Sequence, residues 1–416
     1  MADRGVTAAS APERPTLRRR FLGAPWWAQV LVVFAASRIV TTAIMLAFAA
    51  AQQQNSWTGA HPDYVDFAGI WDGHWYYIVA VSGYPTTLPI GADGHVAQNA
   101  WAFLPAYPAL VRVLMPSWES WNVVAVIVSV AFACGAALLF FRLMRRVLPA
   151  GTALFATVLF CTAPLSPILQ VAYAESMQLF FLFLALILLL DRRYLLLIPV
   201  VVVMSFTRPS GVAFAALLLF HLIHRFVIRA RDPFPWRERL AVVVAGIASF
   251  AAGIAWPVIA ALVTGDATAY TDTELSWRVL YLGHYDELVP FQGWIEGAEW
   301  WLHWIGVPSP ASLVLGCIGL VLLIAIVAVA LLSPWARRIG VDLRLWIVGY
   351  GLYVLAVFFP QSSTFRILVP MAPGLGALAV PRNRVWRVAL VVLGIAGQAG
   401  WIYIAWWVDG YDWTPP

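Results

Sequence analysis

Charged residues are scarce in this 416-residue chain, and lysine is absent from it. Asp, Glu, Lys and Arg together make up 11% of the residues, whereas soluble globular chains carry about 25%. Hydrophobic residues reach 62% and recur in runs along the whole length. So little charge cannot cover the surface of a soluble protein of this size. The composition therefore excludes soluble enzymes and nucleic-acid-binding proteins, and it predicts an all-α polytopic membrane protein.

Cysteine is also rare: the chain has three, and each lies in an apolar run, at Cys134, Cys161 and Cys317. Their spacing fits neither a metal site nor a disulfide framework, so we interpret them as small core residues. All 26 basic residues are arginine. An Ala-, Val- and Arg-rich chain without lysine is typical of GC-rich bacterial coding sequences.

Apolar segments long enough to cross a bilayer, or to form buried half-spans, recur about eleven times. The predicted segments are 26–51, 121–143, 150–165, 174–190, 194–207, 210–226, 240–263, 311–332, 345–360, 367–380 and 386–407. The first is longer than a signal-peptide core, so we expect a retained span. We predict one transmembrane domain over 26–407.

The arginines indicate how these spans are oriented. With the N-terminus in the cytoplasm, 21 of the 26 arginines fall in cytoplasmic segments, as the positive-inside rule requires. This topology gives a disordered cytoplasmic tail over 1–25 and a short outer tail over 408–416. It also places two aromatic-rich loops, 52–120 and 264–310, outside, where we expect short interfacial helices.

The densest polar cluster lies in the first outer loop. It runs from Asp66 through Trp71-Asp72-Gly73-His74-Trp75-Tyr76 to Gly83-Tyr84. An aspartate and a histidine beside aromatic rings are suited to accepting a proton and stacking on a sugar. The alternative is an interfacial helix with solvated charges. Nearby, Phe103-Leu104-Pro105-Ala106-Tyr107-Pro108 has two prolines three residues apart, and this spacing favours a rigid loop over a functional element.

Four further charges interrupt apolar sequence: Arg38, Glu175 (two residues after Tyr173), Arg208 and Arg366. Charge at membrane depth usually faces a cavity or a partner. The planar guanidinium group of arginine matches phosphate oxygens. The alternative for Arg208 and Arg366 is a structural ion pair with Glu175 or Asp72. Arg38, inside the first span, is as well explained by pairing within the bundle.

Together these segments resemble the PIG-V mannosyltransferases, which add the second mannose during GPI-anchor assembly and have bacterial homologues. Trp71-Asp72-Gly73-His74-Trp75-Tyr76 with Gly83-Tyr84 is similar to the family's WD-x-x-aromatic…GY motif, and residues 103–108 resemble its F-x-P-x-x-P element. Ala174-Glu175-Ser176, Arg208-Pro209-Ser210-Gly211 and Phe365-Arg366 resemble its remaining motifs, in the family's order.

The resemblance implies a GT-C type helical bundle in a bacterial plasma membrane, with its active site at the extracytoplasmic face. The implied reaction is inverting transfer of mannose from polyprenyl-phosphate-mannose to a lipid-linked or cell-envelope glycan, without a cofactor or metal. Asp72 is then the expected base, and Arg208 and Arg366 are the expected phosphate ligands. The expected supporting residues are Arg38, Asp66, Trp71, His74, Trp75, Tyr76, Tyr107, Tyr173 and Glu175. A lipid or glycan transporter is the alternative, although no inverted repeat is evident in the sequence.

The predicted topology can be tested by thiol labelling of single-cysteine variants in a chain whose three native cysteines have been replaced. In intact cells, a membrane-impermeant reagent should label Asp93→Cys in the first outer loop. Asp232→Cys, in a predicted cytoplasmic loop, should be labelled only after lysis. Labelling of position 232 but not of position 93 in intact cells would contradict the assignment.

Overall fold

A computed structural model of the chain describes residues 21 and 23–408. Within this range the protein is helical and contains no β-strand, apart from one isolated bridge between Ile90 and Val96. The prediction of an all-α membrane protein is confirmed. The tails predicted over 1–25 and 408–416 lie almost wholly outside the described residues.

The α-helices connect long apolar segments with shorter pieces in the loops. In chain order they are α1 (Trp26–Ala51), α2 (Tyr64–Ala68), α3 (Asp72–Ser82), α4 (Ala106–Leu114), α5 (Trp121–Arg145), α6 (Ala150–Thr162), α7 (Glu175–Leu190), α8 (Tyr194–Ser205), α9 (Gly211–Val227), α10 (Trp236–Thr264), α11 (Ala269–Leu275), α12 (Val279–Leu282), α13 (Gln292–Trp304), α14 (Ala311–Leu332), α15 (Pro334–Arg337), α16 (Val341–Val357), α17 (Thr364–Ile367), α18 (Leu375–Leu378) and α19 (Arg384–Trp401). Short 3₁₀ turns cover Ala100–Ala102, Trp118–Ser120, Ser166–Gln170 and Val369–Gly374, and a π-helical turn covers Ile402–Trp406.

Five helical segments among the described residues are long and apolar enough to cross a membrane. They are Trp26–Ala51, Trp118–Arg145, Trp236–Thr264, Ala311–Leu332 and Arg384–Trp406. The other apolar helices have 10–17 residues. The segment predicted over 367–380 forms consecutive 3₁₀ and α pieces instead of one α-helix, because Pro370 and Pro373 cannot donate backbone hydrogen bonds.

Both long loops contain the short helices expected from the sequence. The first loop holds α2, α3 and α4, and the second holds α11, α12 and α13. The two loops also touch: the His95 and Tyr285 rings stack with centroids 4.2 Å apart. The two loops therefore contain helical structure and are in contact with each other.

Helices α9 and α10 pack backbone against backbone, and this contact depends on two glycines. A Cβ atom added to Gly211 would lie 2.7 Å from the Gly253 backbone nitrogen, and one added to Gly253 would lie 2.5 Å from the Val212 nitrogen. Small residues at such crossings let two backbones approach within a membrane. This contact holds the start of α9 against the middle of α10.

We expect Gly253→Ala to lower the free energy of unfolding by about 1–3 kcal/mol, because the added methyl group has to push α9 away from α10. Gly246→Ala is the matched control on the same helix, since its Cβ would make an ordinary 3.8 Å contact with Leu218. Thermal unfolding of the purified proteins in detergent measures the difference. Equal stability of the two variants would contradict this account of the helix contact.

Candidate active site

Four charged side chains from distant parts of the sequence meet where helices begin or break. Asp72 and Glu175 are the first residues of α3 and α7. Arg208 lies in the break between α8 and α9, and Arg366 lies in the short helix α17. An acid in the first turn of a helix is favoured by the helix dipole. Irregular backbone at membrane depth is tolerated where it is buried in protein or lines a cavity.

The two arginines share both carboxylates. Nη2 of Arg208 lies 3.1 Å from Oδ2 of Asp72 and 2.5 Å from Oε1 of Glu175. Nη1 of Arg366 contacts the same Asp72 oxygen and lies 3.3 Å from the same Glu175 oxygen. The structure therefore contains the ion pairs that the sequence offered as the alternative for Arg208 and Arg366, with both Glu175 and Asp72 as partners.

This network is balanced in charge, and two of its members are buried. Glu175 is 3% exposed and Arg366 is 8% exposed. Two guanidinium groups face two carboxylates, so each buried charge has partners of opposite sign. Removing one member would leave an uncompensated buried charge, which typically costs about 3–5 kcal/mol.

Part of the network's hydrogen-bonding capacity is unused within the described residues. Three atoms of the network form no side-chain hydrogen bond among these residues: Nη1 of Arg208, Nη2 of Arg366 and Oδ1 of Asp72. None of the three is a fully buried atom without a partner. A guanidinium group carries five N–H donors. The arginine pair can therefore bind a further oxyanion while keeping contact with its carboxylates.

The backbone around Asp72 is held in an uncommon conformation. Trp71 has a φ of +59°, a value that non-glycine residues rarely adopt. Its indole Nε1 donates to the Trp406 carbonyl at 3.0 Å, and the Asp72 backbone N–H donates to the Tyr173 hydroxyl at 3.1 Å. Such strain persists where the surroundings determine the conformation, and it often accompanies functional sites. These contacts fix the direction of the Asp72 carboxylate.

Aromatic rings cover the arginine pair. The guanidinium carbon of Arg208 lies 5.8 Å from the Tyr76 ring centre, and that of Arg366 lies 5.3 Å from the Tyr173 ring centre. Tyr107 packs edge-on against Tyr76 at 5.1 Å and donates a hydrogen bond to the Ala125 carbonyl. Cation–π contacts of this kind are strongest where the cation is removed from water.

The network forms one wall of a cavity of about 420 Å³. Apolar residues line another part of it, among them Ile254 and Pro257 of α10, Val357 of α16 and Leu280 of α12. Ile254 is 40% exposed and Leu280 is 69% exposed, so the apolar side of the cavity reaches the surface of the bundle. A charged end and an apolar side suit an amphipathic ligand.

Three residues expected at the site lie elsewhere. Arg38 donates to the Ser166 carbonyl at 2.7 Å, to the Cys161 carbonyl at 2.8 Å and to the Gln170 side chain at 3.0 Å, so it links α1 to the α6–α7 segment. Asp66 is exposed and accepts a hydrogen bond from Asn122. His74 is exposed and packs against Trp57 and Tyr77. None of the three lines the cavity.

Trp75 lies one layer behind the cavity wall. Its ring stacks on Phe103 at 5.4 Å and meets Trp277 edge-on at 5.8 Å. Phe103 and Trp277 both line the cavity. Trp75 thus supports the wall and joins the first outer loop to the second.

The second outer loop contributes lining residues that sequence reasoning missed: Tyr270, Glu274, Trp277, Arg278 and Tyr281. The only sequence signal was an acidic, aromatic-rich stretch within the loop predicted over 264–310. That stretch contains two acidic residues close together, Asp272 and Glu274. Asp272 accepts a hydrogen bond from the Tyr285 hydroxyl at 2.6 Å, whereas Glu274 lines the cavity. Only the folded orientation of α11 separates the two.

The chain is similar in structure to the Archaeoglobus fulgidus oligosaccharyltransferase, solved with an acceptor peptide containing the NVT sequon tethered through a disulfide bond. The two are 12% identical, with a TM-score of 0.43 over 90% of this chain and 54% of the other. The chain therefore spans about half the length of that protein. No family model and no curated protein sequence matches it. This similarity assigns no activity, so function has to follow from the site.

Proposed function

We propose that this protein is a membrane glycosyltransferase of the GT-C type. It moves mannose from polyprenyl-phosphate-mannose to a lipid-linked or cell-envelope glycan at the outer face of a bacterial plasma membrane. The observation that carries the proposal is the arginine pair, Arg208 and Arg366, held against Asp72 at the charged end of a cavity whose other side is apolar.

The arginine pair suits a lipid phosphate. The guanidinium nitrogens not used by Asp72 and Glu175 would donate charge-assisted hydrogen bonds to the phosphate oxygens, the strong class of hydrogen bond. Their positive charge would also stabilise the polyprenyl phosphate as it leaves. The prenyl chain would lie along the apolar side, between α10 and α16, where the cavity reaches the bundle surface.

Transfer requires one bond to form and one to break at the anomeric carbon of the donor. The acceptor hydroxyl oxygen attacks this carbon from the face opposite the phosphate, and the bond to the phosphate oxygen breaks, so the configuration inverts. The electron pair leaves with the phosphate. The hydroxyl proton passes to Asp72, whose Oδ2 is held by the two arginines while its Oδ1 makes no side-chain hydrogen bond among the described residues.

The resemblance to the PIG-V mannosyltransferases supports the choice of sugar and donor. Its five separate motifs contribute Asp72, Phe103, Glu175, Arg208 and Arg366, and all five residues line the same cavity. Segments far apart in sequence thus meet at one place, as a shared active site requires.

We expect the purified protein to transfer labelled mannose from polyprenyl-phosphate-mannose to a membrane lipid extract, and Asp72→Asn to lower turnover at least about 100-fold, since it keeps the shape and removes the basicity. Asp66→Asn is the matched control, because its carboxylate lies outside the cavity. Product analysis would identify the acceptor. Normal turnover in Asp72→Asn with loss in Asp66→Asn would show that the base is misassigned.

Arg208→Ala and Arg366→Ala should each weaken donor binding or transfer, because each removes a phosphate ligand. Arg366→Lys keeps the charge but loses the planar arrangement of donors, so we expect only partial rescue. Kinetics over a range of donor concentrations measure both effects, and thermal unfolding identifies any variant that fails to fold. Arg112→Ala, at an exposed outer-face arginine, is the control. Full activity in both alanine variants would refute the assignment.

A further inference from the structure

Glu274 differs from the other carboxylates of the cavity in having no arginine partner. It lies on α11 in the second outer loop, lines the same cavity as Asp72 and Glu175, and is exposed to it. Those two acids are each bound by Arg208 and Arg366, whereas no ion pair involves Glu274 in the part of the chain that the structure describes. An unpaired carboxylate facing a cavity retains its capacity to accept hydrogen bonds from a ligand.

The groups around Glu274 indicate what kind of ligand fits there. Tyr270, one turn earlier on α11, and Tyr353 of α16 both line the cavity and interact electrostatically with Glu274. Trp277 lines the cavity next to α11, with its ring held edge-on by Trp75 and Phe103. A phosphate would be repelled by the Glu274 carboxylate. Hydroxyl groups beside an aromatic ring, as on a sugar, satisfy both the carboxylate and the indole.

We propose that Tyr270, Glu274, Trp277 and Tyr353 form a sugar subsite in which the Glu274 carboxylate accepts a hydrogen bond from a sugar hydroxyl. This inference rests on the proposed function, and it names the part of the site that holds the transferred or receiving sugar. Glu274 is thus a substrate-binding residue, while Asp72 remains the proton acceptor.

The ionisation of Glu274 provides a signature for this role. Desolvation inside the cavity, away from bulk water, raises the pKa of Glu274 to about 7, opposed by Tyr270 and by the charge of Arg208. The ionisable groups that face it are Tyr270, Arg208, Asp72, Arg278 and Tyr353. Helix α10 and the Ala100–Ala102 turn also pack against α11, and neither places an ionisable side chain beside Glu274. The carboxylate is therefore charged above pH 7 and neutral below it, so sugar binding should strengthen as pH rises.

Direct binding of octyl α-mannoside tests the subsite without requiring turnover. The protein is purified in a detergent without a sugar headgroup, and binding is followed by ligand-observed NMR between pH 6 and pH 8. Wild-type affinity should increase across this range. Glu274→Gln should bind about 10–100-fold more weakly at pH 8, as expected for loss of a hydrogen bond to a charged group, and without the pH dependence. Glu287→Gln, a matched exposed carboxylate of the same loop outside the cavity, should behave as wild type.

Absence of wild-type binding, or equal binding and pH dependence in Glu274→Gln, would overturn the subsite. Failure of the proposed function would give a different result: the wild-type protein would bind the mannoside but would transfer no mannose from polyprenyl-phosphate-mannose.

Steady-state kinetics with both substrates then distinguish which sugar occupies the subsite. A raised KM in Glu274→Gln for the acceptor identified in the transfer assay assigns the receiving sugar, and a raised KM for the donor assigns the transferred one. A fall in kcat with both KM values unchanged would overturn the binding role, because it would place Glu274 in the chemical step.

Discussion

Charge removed from water needs partners, and this constraint organises the structure. Asp72, Glu175, Arg208 and Arg366 come from four separate helix starts or breaks, and each arginine contacts both acids. A break in any of these helices would be costly in isolation, because it exposes backbone groups and charge within an apolar bundle. Joining the four charges in one network stabilises all the breaks together, and the cavity lies where the helices stop.

The same pairing leaves the network poised to bind an anion. Each guanidinium group uses one terminal nitrogen for both carboxylates, and its other terminal nitrogen is left for a ligand. An anion bound by these two nitrogens would leave the contacts of Arg208 and Arg366 with Asp72 and Glu175 in place.

The two long loops, 52–120 and 264–310, complete the site from separate parts of the sequence. Trp75 of the first loop and Trp277 of the second pack edge to face, and His95 stacks on Tyr285. The first loop supplies Asp72, which belongs to the ion-pair network, and the second supplies Glu274, which does not. Two carboxylates in one cavity thus have different partners, and environment more than residue type sets the role of each.

The sequence by itself determined the class, the helices and the charged residues worth following. Apolar length is a local property, so most predicted segments correspond to observed helices, and the exception at 367–380 contains Pro370 and Pro373. Charge within apolar sequence is also local, and it pointed to Glu175, Arg208 and Arg366, whereas the polar cluster of the first long loop pointed to Asp72. Only the tertiary structure decided which charges meet. It turned Arg38 toward backbone carbonyls, left Asp66 and His74 outside the cavity, and placed Glu274 inside. Those outcomes depend on which helix face packs against which neighbour across hundreds of residues, and that is set by packing of the whole bundle.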